Sequence, residues 1–111
     1  MTAPKITIEK DPSTWRIHAH GTELGVSRAV LRLTEGTYPP VLYIPQVDLD
    51  MALFTATNKS THCPYKGDAS YFTVSHMENV GWCYEAPLED VSEIKNHIAF
   101  YADRVSVEKQ P

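Results

Sequence analysis

The chain has 111 residues, 42% of them hydrophobic and 22% charged, with a formal net charge of -4. That length fits one domain, residues 1–111, able to bury a hydrophobic core without a metal or disulfide staple. Lys and Arg are scattered with no basic run, which argues against nucleic-acid binding. No apolar run reaches the length of a membrane span, and Met1 to Lys5 lack the apolar core of a signal peptide, so a cytoplasmic protein is expected.

Ile6 and Ile8 alternate with polar neighbours, Asp11-Pro12-Ser13 interrupts the pattern, and Trp15, Ile17 and Ala19 resume it. Local alternation of this kind predicts a hairpin. Gly21 and Gly25 bracket a second turn region. Ala29, Leu31 and Leu33 then share one face and Arg28, Val30, Arg32 and Thr34 the other, as in a half-buried strand. Residues 35–40 read as a loop from their Gly and Pro content, and Val41-Leu42-Tyr43-Ile44 as a short strand closed by Pro45. Residues 46–54 fit either a short helix begun at Asp48 and Asp50 or a strand.

Thr61-His62-Cys63-Pro64-Tyr65-Lys66-Gly67-Asp68-Ala69-Ser70-Tyr71 crowds a thiol, an imidazole, an ammonium, a carboxylate and two phenols around one turn. Pro64 favours an extended Cys63, and Gly67 permits a sharp reversal, so the stretch is expected to form a fixed corner that opens into a strand at 69–74. Val80, Trp82 and Tyr84 alternate with Gly81 and Cys83, predicting a second hairpin. Leu88, Val91, Ile94 and Ile98 recur at helical spacing behind Glu89 and Asp90, and segments 99–101 and 105–107 read as closing strands. The elements predict a mainly β fold with one or two short helices.

Chemistry in the corner admits two readings. A reactive Cys63 would use His62 as acid and base, with Lys66 and Arg28 stabilising an anion. Neighbours on an extended chain point to opposite sides, however, and a Cys packed beside Pro64 fits equally well. Arg28, Glu35 and Lys66 are the charged candidates for a polar pocket, with Tyr43, Tyr71, Trp82 and Tyr84 as aromatic walls. The same residues could form an Arg28–Glu35 ion pair over an aromatic core. His62, Cys63, His76 and Cys83 are spaced irregularly for zinc, so no metal or other cofactor is expected and both cysteines read as free thiols. His18 and His20 share a strand face that reads as solvated, and Asp68 suits a turn cap.

The string Thr61 to Tyr71 strongly resembles the family catalogued as domain of unknown function 427, sometimes labelled nucleotidyltransferase-like. Arg28 with Glu35, Tyr43-Ile44-Pro45, Trp82-Cys83-Tyr84 before Pro87, and Ile98-Ala99-Phe100-Tyr101 follow the same pattern. The resemblance implies two antiparallel sheets leaning together, similar to the β-tent architecture of zinc-binding and ligand-binding domains. This chain lacks the paired Cys-x-x-Cys knuckles of such relatives. It also lacks a Gly-rich phosphate loop, and its one Asp-x-Asp, Asp48-Leu49-Asp50, fits a helix start. The resulting expectation is a β-domain binding an unidentified small ligand, with an anion among the forms suited to Lys66, in a cleft floored by residues 62–71. The alternative is a non-enzymatic structural or interaction module in which the same loop is a corner. A homodimer through edge strands is compatible with either.

Overall fold

Successive residues of a strand face opposite sides of its sheet, so the burial pattern of each strand assigns it to a layer. The computed structural model describes residues 4–111. Its strands are β1 (Ile6–Asp11), β2 (Trp15–Ala19), β3 (Thr22–Ser27), β4 (Val30–Glu35), β5 (Val41–Pro45), β6 (Phe54–Cys63), β7 (Gly67–Val74), β8 (Met77–Tyr84), β9 (His97–Phe100) and β10 (Ser106–Lys109). Seven of them form one sheet in the order β1-β4-β5-β9-β8-β7-β6, and three form a second in the order β10-β2-β3. Every ladder is antiparallel. The mainly β fold with two sheets is therefore as the sequence and the resemblance implied.

Alternation separates two cores. Val30, Ile44, Val74, Val80, Cys83 and Ile98 of the large sheet pack against Trp15, Ile17 and Leu24 of the small one. Their neighbours Leu31, Leu33, Tyr43, Tyr84 and Ala99 point to the opposite face, where Val91 and Ile94 cover them. Burying a side chain of this kind contributes about 1.5–3 kcal/mol, so both layers carry stability.

The first predicted hairpin does not form. β1 pairs with β4, aligning Ile8 with Leu33, whereas β2 pairs with β3 and β10 in the other sheet. Periodicity identifies strands but not their partners, and the intervening residues carry the chain between layers. The Asp11 carboxylate accepts the Ser13 backbone N–H at 2.9 Å and the Arg32 guanidinium at 3.0 Å. The Ser13 N–H, with help from Arg32 against the cost of burial, holds its pKa well below the usual carboxylate range.

The helical segments are 3-10 turns at Gln46–Asp48, Met51–Leu53 and Glu89–Ile94. The helical spacing from Leu88 stops early because Ile98 lies on β9, leaving six residues, too few to stabilise an α-helix. The first turn is held by a close backbone approach: Gly25 bridges to Leu49, and a Cβ on Gly25 would collide with the Asp48 carbonyl oxygen. Beside it the buried Ser27 hydroxyl donates to the Asp48 carboxylate at 2.7 Å. Among the described residues no helix is long and apolar enough to cross a membrane.

The large sheet has an incomplete seam in its interior. β5 and β9 pair only at Ile44↔Ile98 and Pro45↔His97, and beyond these residues no ladder joins them.

Candidate functional site: an aromatic cleft closed by an ion pair

The corner is the turn of the β6–β7 hairpin, in which His62 pairs with Asp68 and Cys63 with Gly67. The Lys66 N–H donates to the Cys63 carbonyl at 3.2 Å, and Gly67 adopts φ +116°, a region that side chains with a Cβ avoid. This reversal carries Lys66 toward Glu35 at the end of β4, and its Nζ donates to Glu35 Oε1 at 2.5 Å. The pair is largely withdrawn from solvent, with side-chain exposures of 12% for Lys66 and 20% for Glu35.

That contact has a geometric consequence. Three strands separate β4 from β7 in the sheet. At about 4.8 Å per strand a flat sheet would hold them about 19 Å apart. No pair of side chains spans that distance with a 2.5 Å contact to spare, so the sheet curls and the ion pair closes its concave face.

A cleft of about 1010 Å³ opens beside the clasp, lined from one side by Val41, Leu42 and Tyr43 of β5 and from the other by Phe100 and Tyr101. It therefore lies where β5 and β9 part company. Tyr71, Trp82 and Tyr84 supply further walls, with Tyr38, Pro39 and Pro40 at the loop after β4 and Glu108 on β10. The Trp82 and Tyr101 rings sit 4.8 Å apart and tilted by 50°, and Tyr71 lies 6.4 Å from Trp82. Tyr71 is further fixed by a 3.0 Å hydroxyl contact with Thr61 and by the Lys59 ammonium 4.6 Å above its ring.

Burial pushes the Tyr43 phenol up to about 12 and raises Tyr84 and Tyr101 as well. All three phenols are therefore neutral near pH 7, and the walls present apolar ring faces and hydroxyls. The fixed charges lining the cleft are those of Lys66, Glu35 and Glu108. An anion approaching Lys66 must compete with Glu35 for it.

The structure brings Glu35, Tyr43, Lys66, Tyr71, Trp82 and Tyr84 together around this cleft. It does not bring in the others. Arg28 is exposed in the β3–β4 turn, and Glu35 takes Lys66 as its partner. His62 points to solvent at 70% exposure, with its Nδ1 2.7 Å from Asp68. Cys63 lies on the other side, packed against the tyrosine-rich core and outside the cleft lining. The zinc candidates are dispersed in the same way. Cys83 is buried in the core between the sheets, with its thiol pushed up to about 11 by desolvation, and His76 lies at the β7–β8 turn. Among the described residues no three His, Cys, Asp or Glu side chains group as a metal site requires. Of the strand-face histidines, His18 pairs with Glu108 at 3.0 Å and His20 is exposed at the β2–β3 turn.

Leu42, Phe100 and Tyr101 are among the lining residues that the sequence reading did not single out. Tyr101 carried a signal, because it closes the Ile98 to Tyr101 segment. Leu42 and Phe100 carried none, since their importance depends on a ladder that stops short.

No curated protein matches the chain in sequence. A family model covers residues 7–111, from the first strand of the large sheet to the end of the small one, and the chain therefore belongs to the family described as a domain of unknown function, DUF427.

Proposed function

We propose that this protein is a binding module for a small, flat ligand held in the cleft between β5 and β9. The observation that carries the reading is the convergence of Tyr43, Tyr71, Trp82, Tyr84 and Tyr101 on one cavity that also contains the Lys66–Glu35 pair. Aromatic walls with a few fixed polar groups are the usual composition of a small-molecule site. The rings present apolar faces to the cleft against which a planar guest can lie, and the ion pair offers a donor and an acceptor at one end.

Thiol catalysis draws no comparable support. A nucleophile needs its base within hydrogen-bond reach, whereas His62 and Cys63 leave the chain on opposite sides and neither lines the cleft. A second reading, the corner as a purely structural device, is favoured by the 2.9 Å bond from the Leu88 N–H to the Lys66 carbonyl, which ties the turn to the segment before the last 3-10 turn.

Ligand screening separates the two. Small planar compounds are titrated into ¹⁵N-labelled protein while Trp82 fluorescence is followed. The binding reading expects hits whose shifts gather on Tyr43, Trp82, Tyr84 and Tyr101. It is abandoned if no compound in a broad screen perturbs those resonances, or if every hit maps elsewhere.

A further inference from the structure

The ladder that stops between β5 and β9 leaves a specific set of backbone groups without ladder partners, and their identity follows from parity. In an antiparallel sheet a residue directs both its N–H and its C=O to one side, and the next residue directs them to the other. The Gln46 N–H donates to the Asn96 carbonyl at 3.1 Å, so even-numbered residues of β5 face β9. On the far side the Tyr101 N–H donates to the Val80 carbonyl at 3.0 Å, so odd-numbered residues around β9 face β8 and even-numbered ones face β5. A third bond agrees: the Gly36 N–H donates to the Lys5 carbonyl at 2.9 Å, which turns even-numbered residues of β4 toward β1 and leaves Leu31 and Leu33 to bond Tyr43 and Val41.

The next rung after Ile44↔Ile98 would join Leu42 to Phe100, and it is absent. Both residues line the cleft. Each therefore offers it one N–H and one C=O, side by side on a strand edge, between aromatic walls. Leu42 is half-buried and Phe100 buried, and backbone groups without a ladder partner at such positions are costly and seek partners.

We infer, on the basis of the proposed binding cleft, that the ligand is a planar heterocycle carrying a secondary amide, with its N–H and C=O on one edge, and that this edge completes the broken rung on Leu42 or Phe100. An amide edge presents the donor and acceptor that a strand edge lacks. Its ring lies in the cleft against the wall that Trp82, Tyr84 and Tyr101 line. An extended peptide fits less well. Pro40 has no N–H, so the row of donors on β5 ends at Leu42, and the chain turns away after Phe100, where the Val105 N–H folds back onto the Tyr101 carbonyl at 3.0 Å. The open edge is one rung long, enough for one amide but not for a strand.

Two measurements test this, and the first needs no ligand. In amide hydrogen exchange, the Leu42 and Phe100 N–H groups are expected to exchange at least about tenfold faster than those of Ile44 and Ile98, which the last rung protects. Equal protection would mean the edge is closed and would overturn the inference. The second compares 2-quinolinone with N-methyl-2-quinolinone in ¹⁵N–¹H titrations. The lactam is expected to bind in the cleft, moving the Leu42 and Phe100 amides, and N-methylation to weaken it about tenfold or more by removing the donor. Equal binding of the two overturns the amide inference and leaves the binding cleft standing. Binding of neither also overturns the inference, whereas the binding cleft itself falls only if the broad screen finds no cleft ligand.

Discussion

Replacing Lys66 by Met keeps the aliphatic stem and removes the charge, leaving the Glu35 carboxylate at 20% exposure without its partner. Breaking a fully buried pair in this way costs about 3–5 kcal/mol, and the residual solvent access of both groups reduces the expectation to about 2–3 kcal/mol. For a domain of this size 1 kcal/mol moves the melting temperature by about 4 °C, so Lys66→Met should melt about 10 °C below the unmodified protein. Glu35→Gln alone should cost less, because a carboxamide oxygen can still accept from the ammonium. The double variant should recover most of the loss, giving a coupling energy of about 2 kcal/mol in a double-mutant cycle. Circular dichroism during reversible thermal and urea unfolding measures all four proteins. A Lys66→Met protein that melts within about 2 °C of the original, or a double variant whose loss equals the sum of the singles, would refute the clasp. The same geometry changes what a Lys66 truncation means for function: lost stability is expected whether or not the cleft binds anything. Ligand affinity in the restabilised double variant is the discriminating quantity.

Gly25→Ala should destabilise by about 2–4 kcal/mol in urea titration, because its Cβ strikes backbone at the Asp48 carbonyl and cannot be relieved by a side-chain rotation. Asp11 is held at a depressed pKa in the folded state, so its contribution is present above the unfolded value near 3.8 and lost as pH falls below it. Asp11→Asn should therefore flatten stability against pH below about pH 4, and unchanged acid sensitivity would contradict the bonds to Ser13 and Arg32. At the alkaline end Tyr43 titrates near 12 when folded and near 10.0 when unfolded. Its stabilising contribution is complete below pH 10.0 and is lost as pH rises toward 12. Tyr43→Phe should remove that part of the alkaline loss, read from unfolding transitions measured across this window.

The parts of the fold that were legible in sequence are those decided by local contrast. The β7–β8 hairpin could be read because apolar and small residues alternate through Val80, Gly81, Trp82, Cys83 and Tyr84, and both faces of that sheet are packed. β6 could not, since it is an edge strand whose residues 55–62 are mostly exposed and polar. Edges of this type avoid the apolar signature that would invite aggregation. The partner of β1 was beyond periodicity, because Ile6 and Ile8 would look the same beside β2 as they do beside β4. Six of the residues that line the cleft stood out in the sequence by their chemistry, the aromatic rings and the Lys66 and Glu35 charges, whereas Arg28 lies away from it, because sequence proximity to β4 does not say which way a turn residue points. The opposed directions of His62 and Cys63 follow from alternation alone, and the structure adds only which of them meets the core.

The corner and the cleft belong to one piece of architecture. A sheet that loses a rung between β5 and β9 loses hydrogen bonding where it should be strongest, in its interior, and would be expected to hinge there. The Lys66–Glu35 contact joins β4 to the β6–β7 turn, on opposite sides of the missing rung. It resists opening of the sheet without filling the gap with backbone bonds. A clasp made of side chains keeps the gap available to a guest, which a continued β5–β9 ladder would not. If this coupling holds, weakening the clasp should loosen the cleft before it unfolds the protein. Lys66→Met should therefore raise amide exchange at Ile44 and Ile98, the last rung, more than at the β7–β8 residues Tyr71 and Trp82. A uniform increase across both ladders would show that the pair stabilises the fold globally and has no particular hold on the cleft.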